Sequence, residues 1–112
     1  MASDLDDKLH IKVFPVAAVR SCLLAELTLL AQAEAQVRGL EPPKAPPALL
    51  KMAIPLDSLS VVDVLCAVEP VIGFELKDSL VRTGGYGSIE AAMDHLLPRL
   101  EAVWTKKHGA KS

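Results

Sequence analysis

The chain has 112 residues and a formal net charge of −2, with 51% apolar and 23% charged residues. That is the length of one domain and the composition of a folded globular protein, which argues against a disordered tail. No basic excess is present to displace counterions from nucleic acid, and the small size disfavours a deep, enclosed active site.

Aromatic residues make up only 4% of the chain, so the core falls to Leu, Val, Ile and Ala, the side chains that pack helix on helix most readily. Residues 1–112 read as a single domain. The start, Met1 to Lys8, is polar and acidic, unlike a secretory leader, and residues 1–12 are expected to be a flexible end. Val13 to Leu30 is the most membrane-like run. Pro15, Arg20 and Glu26 interrupt it, short of the roughly 18 uninterrupted apolar residues a spanning helix needs. From Val16 to Arg38 the chain lacks Gly and Pro, and Val16, Val19, Leu23, Leu27, Leu30 and Val37 form an apolar stripe at helical spacing. Gly39 stands where a C-terminal cap belongs.

Glu41 to Pro47 holds four of the chain's eight prolines and is expected to be an extended, non-helical connection. Leu49, Leu50, Met52 and Ile54 can anchor it to the helices, and Pro55 closes the segment. Asp57 and Ser58 are both good N-cap residues ahead of an apolar run from Leu59 to Val68, and Ser60 with Asp63 has the spacing of a weak capping box. Pro70 and Gly73 should stop or kink this helix between Val68 and Ile72. Phe74 to Val81 is an apolar loop or short helix, and Gly84-Gly85-Tyr86-Gly87 is a turn. Ser88 caps a last helix, Ile89 to Trp104, with Ile89, Met93, Leu96, Leu97 and Leu100 inward and Pro98 interrupting or bending it. Residues 105–112 form a polar end expected to be flexible. The fold class is all-α, with three main helices plus a short one and no period-two strand.

Catalytic signals are few. His10, His95 and His108 have no partner at metal-ligand spacing, and neighbouring Asp94 and His95 point about 100° apart on a helix. The glycine-rich turn lacks the lysine and strand of a phosphate loop. No enzymatic activity, no catalytic residue and no metal site are therefore expected. Cys22 and Cys66 belong to no CxxC pair and are expected to be reduced, small core residues in a cytoplasmic protein. Trp104 is expected to pack against a neighbouring helix, and Tyr86 to pack its loop.

The feature that calls for chemistry is Leu56-Asp57-Ser58-Leu59 at the mouth of an apolar helix. A helix N-terminus gathers unpaired N–H groups and the positive end of the dipole, so a phosphate ester on a serine there is favourably placed. The Asp57 carboxylate could hold a metal-bound cofactor near that hydroxyl. From Asp57 to about Leu97 the sequence resembles the acyl carrier protein family. The resemblance runs through Asp57-Ser58-Leu59, Val62-Asp63-Val64-Leu65, Val68-Glu69, Ile72, Leu76 and Ser88-Ile89-Glu90-Ala91-Ala92-Met93. Val16 to Arg38 matches the family's first helix in pattern only.

The resemblance implies a four-helix bundle with a long Pro-rich first loop. It implies covalent 4′-phosphopantetheine on Ser58, with an acyl thioester on its thiol and the acyl chain tucked between helices. Asp57 would aid the modification, and Leu59, Val62 and Asp63 would face partners at the start of the second helix. The partners implied are a phosphopantetheinyl transferase and acyl-loading and acyl-transfer enzymes of fatty-acid, lipid or polyketide-type synthesis. No nucleic acid and no membrane span enter this reading, and the chain is expected to be a monomer. The departures are Ile54-Pro55-Leu56 where the family usually has a glycine, only Asp63 and Glu69 as carboxylates on the second helix, and Pro70 where a carboxylate is common. Because Val61, Val62 and Leu65 cannot all face one core, at least one is expected to be an exposed contact for a partner. The alternatives are a peptidyl or aminoacyl carrier, or an unmodified helical interaction module.

Overall fold

The structure is a computed structural model that describes residues 13–108. Its helices are α1 (Val16–Val37), α2 (Pro46–Lys51), α3 (Ser58–Ile72) and α4 (Ile89–Lys107), with a single 3-10 turn at Asp78–Leu80. Among the described residues there is no strand beyond one antiparallel bridge pairing Leu56 with Tyr86. The protein is all-α, a small helical bundle.

The stripe on α1 buries Val19, Leu23 and Leu27 as expected, then continues through Ala31 and Ala35. Val16 and Val37, read as stripe members, are 49% and 83% exposed. They miss the contact because the buried row runs in steps of four, from Val19 to Ala35, and drifts around the helix away from both positions. The helix ends in a Schellman arrangement. Gly39 (φ +70°) donates to the Gln36 carbonyl at 3.1 Å, and Leu40 donates to that of Ala35 at 2.8 Å. By length and apolar composition α1 alone of the described helices could cross a membrane. Here its stripe packs on α3 and α4.

Both α3 and α4 run antiparallel to α1. Cys22 Sγ reaches the Ala67 carbonyl of α3 at 3.6 Å, while Glu26, Leu29 and Leu30 lie beside Ser60, Asp63 and Val64 nearer the start of that helix. Phe14, just before α1, meets Trp104 of α4 edge-on at 6.1 Å, so the tryptophan packs as expected. The core is Val61, Val64, Leu65, Val68 and Ile72 from α3, with Ile89, Ala92, Met93, Leu96, Leu100 and Trp104 from α4, closed by Ile54, Leu56 and Tyr86. Burying such side chains contributes about 1.5–3 kcal/mol each.

Several expectations are corrected. The proline stretch is not wholly extended, because Pro46 and Pro47 open α2. The first turn of a helix has no intrahelical partner for its N–H groups, so a proline lacking one is tolerated there. The stop expected between Val68 and Ile72, by contrast, is met: α3 carries Pro70 in its last turn, ends at Ile72 and is capped by Gly73 (φ +101°). Residues 105–107 are not a loose end. They form the last turn of α4, held by buried Trp104 and by Lys106 and Lys107 at the negative end of the helix dipole. Residues 1–12 and 109–112 lie outside the described residues, and with them His10. Cys66 is exposed and Cys22 only partly buried, so neither is a fully buried core residue. Burial, then the charge of Glu26, pushes the Cys22 thiol up.

Candidate functional site: the turn before α3

Asp57 is the N-cap of α3, with extended backbone, and its carboxylate accepts from the Ser60 N–H at 3.4 Å. A hydrogen bond from the Ser60 side chain is the largest influence and holds this carboxyl below its ordinary value; desolvation opposes it, and backbone N–H groups of Ser60, Asp57 and Leu59 add smaller support. With Asp57 as the cap, Ser58 becomes the first helical residue and not a second cap, and its side chain is half-buried. The Val61 N–H bonds back to the Asp57 carbonyl at 3.1 Å. That leaves the Ser58 and Leu59 N–H groups without a partner inside the helix.

Leu59 is 77% exposed and Asp63 is exposed, whereas Val62 is half-buried against the core. Val61 and Leu65 are buried and Val62 is partly so, which corrects the expectation that one of the three is an exposed contact. Leu59, Val62 and Asp63 lie on the first two turns of the helix that Ser58 begins. Asp63 also lines a shallow, open groove of about 310 Å³ with Glu26, Leu29, Leu30, Ser60 and Val64. A second cleft, about 140 Å³, opens between α1, α2 and α4 beside Arg20, Leu24, Leu50, Met93 and Leu97. Among the described residues no three His, Cys, Asp or Glu side chains gather as a metal site.

The approach to Ser58 is built from a distant part of the chain. Leu56 and Tyr86 exchange both backbone hydrogen bonds (2.8 and 2.9 Å), and the Ile54 N–H donates to the Gly87 carbonyl at 2.9 Å. Gly85 (φ +81°) lies against the peptide it faces. A Cβ there would overlap the Leu56 carbonyl oxygen and come within 3.0 Å of both the Asp57 Cα and the Ser58 nitrogen. No glycine precedes Asp57; the close approach is made by the facing loop instead. Tyr86 is 3% exposed, and its hydroxyl accepts from the Arg82 N–H at 3.0 Å and lies 2.6 Å from His95 Nδ1.

Spacing could not reveal Arg82, Gly85 and His95 as neighbours of this turn, because a bridge across thirty residues leaves no local periodicity. The glycine turn itself was legible; its partner was not. Compared with protein-family models, with curated proteins and with solved structures, the chain finds no match.

Proposed function

We propose that this chain is a non-enzymatic acyl carrier protein of the four-helix type, with 4′-phosphopantetheine attached to Ser58. The observation that carries the reading is the position of that serine. It is the first residue of a 15-residue helix, half-exposed, beside two N–H groups with no intrahelical partner and next to the Asp57 carboxylate. A phosphodiester on the Ser58 hydroxyl suits this position, because the Ser58 N–H, with no partner inside the helix, and the positive end of the helix dipole favour its charge. When bound, the arm supplies a thiol that carries an acyl group as a thioester.

The remaining work falls to the chain's own residues. Asp57 keeps its negative charge to low pH and orders the first turn, and exposed Leu59 and Asp63, with half-buried Val62, offer a face to loading and transfer enzymes. Tethering raises the effective concentration of the carried group at each enzyme. The face is sparse in carboxylates, so electrostatic steering by basic partners is weak and depends little on salt.

The test is the intact mass of the protein after incubation with coenzyme A, magnesium and a broad-specificity phosphopantetheinyl transferase, with Ser58→Ala alongside. A gain of one arm in the wild type alone supports the carrier. No gain from folded protein overturns it in favour of an unmodified interaction module. The loading enzyme, not the attachment turn, decides between acyl and aminoacyl cargo.

A further inference from the structure

We infer that Tyr86 and His95 are positioning residues for Ser58: together they latch the Arg82–Gly87 loop to α4 and so hold the Leu56–Ser58 turn in register. This rests on the carrier reading for its consequence, but its physical basis is separate.

The connection runs in three steps. His95, half-buried on α4, lies 2.6 Å through Nδ1 from the Tyr86 hydroxyl. That hydroxyl already accepts from the Arg82 N–H at 3.0 Å, so its own proton is free for donation to Nδ1 in the tautomer that leaves this nitrogen unprotonated. Arg82 then closes the loop on itself. Its Nε donates to the Gly85 carbonyl at 3.1 Å, and its guanidinium sits 4.7 Å from the centre of the Tyr86 ring. Finally, Tyr86 pairs with Leu56 through both backbone bonds, and Gly85 lies against Asp57 and Ser58 with no space for a side chain. Leu56 anchors the turn by packing in the core, but among the described residues no side-chain hydrogen bond joins the turn to α4 directly. Its polar link to that helix runs through the loop, and from the loop through the Tyr86 hydroxyl to His95.

The neighbours make His95 suited to this task. Burial, then the charges of Arg99 on α4 and Arg82 in the loop, hold its imidazole below its ordinary value, which keeps Nδ1 free to accept near neutral pH.

The experiment compares four full-length, unmodified proteins: wild type, Tyr86→Phe, His95→Leu and His95→Asn. Amide hydrogen exchange is followed by NMR at one pH, and the rate of Ser58 modification by the transferase is measured alongside. Expected is at least tenfold faster exchange at the Leu56 and Tyr86 amides in Tyr86→Phe and His95→Leu, with the Leu27 amide unchanged as a control for folding. Modification slows several-fold in the same two proteins. His95→Asn, whose amide oxygen can take the place of Nδ1, restores both. Unchanged exchange at Leu56 and Tyr86 overturns the latch, and loosened amides with an unchanged modification rate overturn the positioning role. A wild type that is never modified, with amides that still respond to the variants, overturns the carrier reading while supporting the latch.

Discussion

At the residue scale, two side chains at the candidate site do separable work. Asp57 caps α3 and also presents a charge beside Ser58. Asparagine caps as well as aspartate, whereas alanine does not. Asp57→Ala should therefore lower the midpoint of a denaturation experiment. Asp57→Asn should leave stability nearly unchanged and, on the carrier reading, still slow modification. Gly85 adopts a positive φ where a Cβ would meet backbone. Gly85→Ala should destabilise by at least about 1 kcal/mol, since neither a left-handed alanine nor the facing peptide yields cheaply. His95 gives a pH signature. Its proton affinity is lower in the folded chain than in the unfolded one, so the unfolded state takes up a proton first as pH falls. The stability His95 contributes is present above the ordinary histidine value of about 6.5 and is lost progressively below it. Thermal melts from pH 7.5 to 5 should show the midpoint falling, with a shallower fall in His95→Asn.

At the element scale, the apolar stripe of α1 shows how far periodicity reads. Spacing identified Val19, Leu23 and Leu27, all fully buried. It also enrolled Val37, which lies in the last turn with 83% of its surface in water. Leu27→Ala should cost about 2–5 kcal/mol, whereas Val37→Ala should change stability by less than about 0.5 kcal/mol. Equal costs would mean that α1 packs in a different rotation. The helix ends were more legible than the faces, because caps are local chemistry. Gly39, Asp57, Gly73 and Ser88 each sit at the terminus where the sequence suggested a boundary. Ser88 accepts from the Ala91 N–H at 3.0 Å. The start of α2 was misread because proline disrupts a helix interior but not its first turn.

At the scale of the whole molecule, Trp104 is buried between Phe14 and His108, where α4 meets the start of α1. As the single tryptophan it reports on the contact that closes the bundle. Its fluorescence and the helical circular dichroism should follow one coincident transition in urea, and separated midpoints would mean that the ends of α1 and α4 open before the core. The sequence by itself determined the all-helical class, the caps and the inward Ile89, Met93, Leu96 and Leu100 of α4, though not Ala92, while Leu97 is only half-buried; it also singled out Ser58 as the candidate site. These depend on residue type and on spacing within a turn or two. Only the tertiary structure decided which loop abuts the Ser58 turn, that His95 partners Tyr86 and not Asp94, and that Val62 is partly buried beside buried Val61 and Leu65. The physical reason is range. Capping and helical periodicity act over a few residues, whereas the pairing of Leu56 with Tyr86 joins segments thirty residues apart and depends on how the helices pack.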